Sequence, residues 1–229
     1  MNGIIVSLDV ESRQTLDEIV AKTHDIPEVL GFKLGVLSSL SIGLAEAVRL
    51  ICGRTDKQII YDHQKAGNDI PDITRRLVKL AGEAGVSGFI LFPFAGPEVL
   101  KAGIEEGWSR GLTMIVGAHM THPSFLESDG GFIPTTLPEK VFGFALRLGV
   151  TDFVLPGNQP NIAASYADTI SRNVDSPTFW TPGIGRQGGS IATLRNAFPS
   201  ESKLMAIVGS SIYQASDPAA SIRSIFDAE

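Results

Sequence analysis

The stretch Asp62-His63-Gln64-Lys65-Ala66-Gly67-Asn68-Asp69 places two carboxylates and a lysine within eight residues. It follows the apolar run Ile59-Ile60-Tyr61 and ends at Ile70-Pro71, where an amphipathic segment begins. Carboxylates close to a lysine hold its ammonium protonated and are themselves kept ionised. A fixed ammonium of this kind can stabilise developing negative charge and then supply a proton. Gly67 permits an irregular backbone in the middle of the stretch. The bland alternative is a solvated loop carrying a surface salt bridge, an arrangement worth little to stability. Short charged loops are common, so the surroundings of this one decide between the two readings.

Those surroundings are regular. Apolar strand-like runs at residues 3–8, 31–34, 58–61, 88–92, 112–116, 152–155, 178–181 and 204–208 alternate with helix-period segments. The spacing predicts helices over 13–22, 37–51, 70–84, 97–106, 137–148, 162–170, 191–197 and from Pro218 onward. In the second, Leu40, Leu44, Val48 and Ile51 share a stripe. In the third, Ile73, Leu77 and Leu80 are expected inward and Arg75, Arg76 and Lys79 outward. Eight such units over residues 1–229, with no break in composition, predict one α/β domain, a (β/α)8 TIM barrel. A doubly wound open sheet would carry a glycine-rich loop after the first strand. Ser7-Leu8-Asp9-Val10-Glu11 has no glycine there. In a barrel, Asp9, Lys33, Asp62, Lys65, the 119–122 loop, Gln187 and Gly209 all fall at the C-terminal ends of strands, the face where barrel enzymes do chemistry.

Two glycine-rich loops lie at the same end. Pro182-Gly183-Ile184-Gly185-Arg186-Gln187-Gly188-Gly189 follows the seventh strand, and Gly209-Ser210-Ser211 follows the eighth. Glycines let backbone N–H groups approach an anion, and Arg186 and Gln187 add side-chain donors, so a phosphate site is expected there. The 117–134 loop is unusually long and carries His119 and His122. At i, i+3 these two could bind a metal, but no carboxylate cluster accompanies them, so a structural role is expected and no metal site is assigned.

Composition narrows the function classes. The chain has 43% hydrophobic and 19% charged residues and a net charge of −6. This is ordinary globular composition, ill suited to a broad nucleic-acid or anionic-membrane surface. The single cysteine, Cys52, allows no intrachain disulfide and is expected as a small core residue. Trp108 and Trp180 are expected as packing residues. Neither a signal peptide nor an 18-residue apolar span is present in the sequence, which fits a cytoplasmic protein.

These motifs, in this order, resemble orotidine 5′-monophosphate decarboxylase, particularly its shorter archaeal-type members. The resemblance rests on Leu8-Asp9, Phe32-Lys33-Leu34-Gly35, Asp62…Lys65…Asp69-Ile70-Pro71, Met120-Thr121-His122-Pro123, the 182–189 loop and Ile207-Val208-Gly209-Ser210-Ser211-Ile212-Tyr213. It implies a homodimeric barrel without cofactor or metal that converts orotidine 5′-monophosphate to uridine 5′-monophosphate and carbon dioxide. By resemblance, Asp9 binds ribose and Lys33 bridges ribose and the first carboxylate of the array. Asp62 then sits beside the substrate carboxylate, and Lys65 protonates C6. Asp69 reaches into the partner's site. Thr121 contacts the pyrimidine and Gln187 both pyrimidine and phosphate. Pro182, Gly188, Gly209 and Ser210 complete the nucleotide site.

The chain departs from the family pattern at three points. The usual Asp-x-Lys-x-x-Asp is lengthened to Asp-x-x-Lys-x-x-x-Asp. In a continuing strand one extra residue turns Lys65 to the opposite face, so the array survives only if a bulge aided by Gly67 returns Lys65 and Asp69 to the site. His63 or Gln64 could enter the site instead. Ser210 stands where the family has an arginine on the phosphate, a role Arg186 is expected to take over. Ile73 stands where a small hydroxyl residue is usual. Two alternatives remain open: a magnesium-dependent sugar-phosphate enzyme such as hexulose-phosphate synthase, and a nucleotide-binding barrel without activity.

Overall fold

The computed structural model describes residues 2–227, apart from the side chains of Lys65, Ala66 and Asp227. Eight parallel strands close into one barrel in chain order: β1 (Asn2–Leu8), β2 (Val29–Gly35), β3 (Gln58–Asp62), β4 (Gly88–Leu91), β5 (Thr113–Gly117), β6 (Asp152–Val154), β7 (Thr178–Thr181) and β8 (Lys203–Val208). The expected (β/α)8 barrel is thus the observed one. Strands covered on both faces read as near-continuous apolar runs, which is why the sequence pattern located them.

Alternation along each strand sorts two cores. Ile5, Ile60, Ile90, Phe92, Ile115, Val154, Trp180, Met205 and Ile207 fill the barrel interior. The intervening residues, such as Ile4, Val6, Leu8, Phe32, Leu34, Tyr61 and Phe89, point outward against the helices. Trp180 is buried and donates its indole N–H to Asp152 Oδ1 at 2.9 Å.

The helices are α1 (Arg13–Thr23), α2 (Val36–Ser41), α3 (Leu44–Cys52), α4 (Pro71–Glu83), α5 (Pro97–Ser109), α6 (Leu137–Leu148), α7 (Pro160–Ser171), α8 (Ile191–Ala197), α9 (Ser210–Tyr213) and α10 (Pro218–Asp227). Their starts follow familiar chemistry. The Ser12 hydroxyl accepts from Thr15 N at 3.4 Å, and Pro71, Pro97 and Pro160 occupy first turns, where a missing N–H costs nothing. Among the described residues no helix is long and apolar enough to cross a membrane.

Several local expectations are corrected. The predicted helix over 37–51 is two helices, α2 and α3, parted at Gly43, whose φ of +90° no side chain adopts comfortably. The separation leaves Leu40 81% exposed rather than on an inward stripe. In α4 the buried residues are Thr74, Val78 and Ala81, and Leu80 lies on the outside. Cys52 ends α3 on the surface and is no core residue. Trp108 is half-exposed. The long loop after β5 has structure of its own, a 3-10 turn over Glu127–Asp129 closed by pairing of Leu126 with Ile133.

Candidate active site

Inward-facing residues at the C-terminal ends of the strands line a cavity of about 490 Å³ at the barrel mouth. Strand register sets who meets whom. Ser7 pairs with Lys33, Lys33 with Ile60, and Gly35 with Asp62. Ser7 and Lys33 therefore face inward on adjacent strands, with Asp62 at the lip of the third.

Lys33 is the centre of the wall. It is 6% exposed, and its Nζ lies 3.1 Å from Asp9 Oδ2, 3.3 Å from Asp9 Oδ1 and 3.1 Å from Asp62 Oδ2. Burial by itself pushes an ammonium down, but the Asp62 and Asp9 carboxylates overcome that penalty and hold the Lys33 pKa above the ordinary lysine value. The ammonium is therefore fixed and charged at any physiological pH. Asp9 is oriented further by the Ser7 hydroxyl, which donates to Oδ2 at 2.7 Å. Gly35 is required beside this pair, because a Cβ there would sit 2.0 Å from Asp9 Oδ1. Asp62 Oδ1 is buried with no hydrogen-bond partner among the described residues.

The lengthened motif folds differently from the expected bulge. β3 ends at Asp62, and residues Gln64–Asn68 form one turn of 3-10 helix. Gly67 seats that turn on the strand-four loop. Its carbonyl accepts from Ala95 N at 3.0 Å, and a Cβ on it would lie 2.0 Å from Phe92 O. His63 and Gln64 both line the cavity. The Lys65 side chain lies outside the described residues. Asp69 is exposed, accepts from its own neighbour Ile70 N at 2.7 Å, and does not line its own chain's cavity.

The opposite wall is built from the glycine loops. Pro182, Gly183, Ile184, Arg186, Gln187, Gly209, Ser210 and Tyr213 line it. Positive φ at Gly183, Gly185 and Gly188 folds the first loop back on itself, with Gly189 N bonded to Gly183 O at 3.0 Å. Arg186 is tied to the second loop. Its backbone N–H donates to Ser211 Oγ at 3.1 Å and its guanidinium to Gln214 Oε1. Gly188 and Thr121 do not line the cavity. Thr121 instead offers its carbonyl to Asn158 Nδ2 at 3.0 Å.

Ser7 and Asn158 did not emerge from the sequence as site residues, and Gly35 emerged only as part of Phe32-Lys33-Leu34-Gly35. Ser7 stands two residues before Asp9, a period-2 signal that could have found it. Asn158 bridges the loops after β5 and β7 and leaves no local pattern. The two loop histidines are structural in their contacts. His119 is buried, its pKa is lowered by that burial, and its Nδ1 meets the Tyr166 hydroxyl at 3.0 Å. Burial also raises the Tyr166 pKa to about 12. His122 Nδ1 meets Pro123 O at 2.9 Å. No cluster of three metal-ligating side chains occurs among the described residues.

A closed parallel barrel with a fixed ammonium between two carboxylates, facing two glycine loops across its C-terminal mouth, defines a barrel of the enzyme type, with its polar site at the catalytic end. The chain belongs to the orotidine 5′-phosphate decarboxylase / HUMPS family, whose model matches residues 2–225. It is 30% identical over 232 residues to the orotidine 5′-phosphate decarboxylase of Pyrococcus furiosus, covering 98% of this chain and 96% of that one. It is 27% identical over 226 residues to that of Methanococcoides burtonii, covering 99% and 96%. The fold is similar to the crystal structure of orotidine 5′-monophosphate decarboxylase from Methanocaldococcus jannaschii complexed with the inhibitor BMP. The TM-score is 0.83 at 26% identity, over 98% of this chain and 96% of that one.

Proposed function

We propose that this chain is a carboxy-lyase that converts orotidine 5′-monophosphate to uridine 5′-monophosphate and carbon dioxide in pyrimidine biosynthesis. The observation that carries the reading is the buried Lys33 ammonium held 3.1 Å from both Asp9 and Asp62. Loss of carbon dioxide leaves a carbanion at C6 with nothing in the pyrimidine to delocalise it well. Preorganised positive charge at that point stabilises the transition state more than the substrate. Lys65 is the proposed proton donor to C6. Asp62 Oδ1, buried and unpaired among the described residues, supports this, since an ammonium from the adjoining turn would satisfy it. Asp9 and Lys33 hold ribose, and Gln187 recognises the pyrimidine, while Thr121 lies outside the cavity lining. Pro182, Arg186, Gly209 and Ser210 form the phosphate end. Binding the remote phosphate supplies energy for positioning at the base.

Assembly as a homodimer in the cytoplasm, without cofactor or metal, is part of the same proposal. Asp69 is exposed beside Ile70, itself 62% exposed, and Leu37 on the cavity rim is 46% exposed. Apolar residues left open around a mouth suit a covering partner, to whose site Asp69 would then contribute.

The test is turnover of orotidine 5′-monophosphate in the presence of a chelator, followed by ultraviolet absorbance. Turnover that Lys65→Ala abolishes is the expected result. Activity only on a sugar phosphate with magnesium would overturn the reading in favour of a magnesium-dependent sugar-phosphate enzyme.

A further inference from the structure

Among the described residues two lysine or arginine side chains line the cavity, Lys33 and Arg186, and their charges are treated differently. Lys33 is committed to Asp9 and Asp62. Arg186, on the glycine loop after β7, meets no carboxylate among the described residues. Elsewhere in the chain Arg13, Arg49, Arg54, Arg75 and Arg110 each pair with an aspartate or glutamate. The Arg186 guanidinium is held instead by a neutral acceptor, the amide oxygen of Gln214.

Gln214 does not line the cavity. It stands behind the wall, directly after α9. Its backbone is fixed there. Its N–H donates to Ser210 O at 3.2 Å, and α9 is pinned to α10 by the Ser221 hydroxyl, which donates to Ser211 O at 2.7 Å. The loop that carries Arg186 is pressed against the same element. Arg186 N donates to Ser211 Oγ at 3.1 Å, and Gly185, at a φ of +80°, comes so close that a Cβ would lie 2.5 Å from Ser211 Oγ. Arg186 is thus joined to the segment after β8 at two points, its backbone on Ser211 and its guanidinium on Gln214.

An arginine on a loop loses much rotamer freedom when a ligand fixes it. A holder that restrains the side chain beforehand lowers that cost. Gln214 occupies an Nη1 donor and leaves the rest of the five-donor fork for another partner. Because the holder is neutral, it orients the guanidinium without cancelling its charge. A carboxylate in its place would hold the fork as well and compete with an anion for it. Under the proposed function, the phosphate lies at the loops after β7 and β8. We infer that Gln214 is a positioning residue for substrate binding, whose neutral amide, together with the Ser211 hydroxyl, presents Arg186 to the phosphate with its charge uncompensated. This inference rests on the nucleotide reading above.

The test is a binding cycle by calorimetry with uridine 5′-monophosphate and with uridine, which lacks the phosphate. The proteins are wild type, Gln214→Leu, Gln214→Glu, Arg186→Ala and the double variant of Arg186→Ala with Gln214→Leu. Both positions are exposed, so the fold tolerates these changes. Gln214→Leu is expected to weaken uridine 5′-monophosphate binding about fivefold, the worth of a hydrogen bond to a charged group discounted for exposure. Uridine binding is expected to stay unchanged. Added to Arg186→Ala, Gln214→Leu should cost nothing further, because Gln214 acts through the arginine. Gln214→Glu keeps the acceptor and adds a charge, so it should weaken uridine 5′-monophosphate at least as much as Gln214→Leu. A residue that merely tied the two loops together would accept glutamate without loss. No loss in Gln214→Leu, an equal loss for uridine, a further loss in the double variant, or full binding by Gln214→Glu overturns the inference. Arg186→Ala binding uridine 5′-monophosphate as wild type does would remove both residues from the phosphate end. Wild type failing to bind uridine 5′-monophosphate overturns the nucleotide reading itself, a result separable from a loss confined to the variants.

Discussion

Replacing Lys33 with methionine removes one charge from the cavity wall and keeps most of the side-chain volume. The Lys33 side chain is 8% exposed, the Asp62 side chain 13% and the Asp9 side chain 36%. Breaking a buried ion pair by deleting one partner costs about 3–5 kcal/mol, because the other charge stays buried without compensation. Asp62 carries most of that penalty, since its Oδ1 already has no partner among the described residues. Asp9 keeps the Ser7 bond and more contact with water, so its share is discounted. The expected loss is therefore near the low end, about 3 kcal/mol at pH 7, or roughly 6–12 °C in Tm for a chain of this size. The loss should depend on pH. In Lys33→Met, two carboxylates face each other without an ammonium, and binding a proton between them relieves that repulsion. Acid therefore favours the folded variant, and the relief is lost as pH climbs. The wild-type ammonium, with its own raised pKa, contributes throughout this range and is lost only above about 10.4. The deficit of the variant should thus shrink toward pH 4 and be complete by pH 7. Urea denaturation of both proteins at pH 4, 5.5 and 7 measures it. A deficit under about 1 kcal/mol at pH 7, or one equal at pH 4 and 7, would refute the view that Lys33 is the compensating charge of the array.

Gly35→Ala should push the Asp9 carboxylate off Lys33, since the new Cβ would lie 2.0 Å from Asp9 Oδ1. Turnover is expected to fall by about 100-fold with a small change in Tm, and unchanged turnover would count against Asp9 as a positioned group. Gly67→Ala places a Cβ 2.0 Å from Phe92 O and 2.8 Å from Pro93 Cα, both backbone atoms that cannot swing away. It should destabilise by about 2–3 kcal/mol and reduce turnover as the 3-10 turn shifts, both read by thermal melts and steady-state assays. His119 has a pKa lowered by burial, so its contribution to stability is complete above about 6.5 and declines as pH falls through its folded value. Urea denaturation between pH 7.5 and 5 should show this decline in wild type and a flatter dependence in His119→Gln.

What the sequence disclosed follows from the range over which each constraint acts. Strands buried on both faces announce themselves locally, and Asp9, Lys33 and Asp62 could be placed at one end because each stands at or near the C-terminal end of its own strand. Which residues of a helix are covered depends on neighbours far away in the chain. Leu40 and Leu80 continue an apolar stripe yet face outward, while Thr74 is buried. The bridge from Asn158 to Thr121 spans 37 residues and has no local signature. The lengthened motif shows the same division. From sequence, its extra residues threatened to turn Lys65 away, and a bulge was the obvious remedy. The fold compacts them instead. Five residues of 3-10 helix at about 2.0 Å each advance the chain by about 10 Å, the distance three extended residues would cover at about 3.3 Å each. Two residues' worth of chain length is thereby absorbed before Asp69. The compaction depends on a contact that the motif alone does not contain, the seat of Gly67 against Phe92 and Pro93 on the next strand's loop.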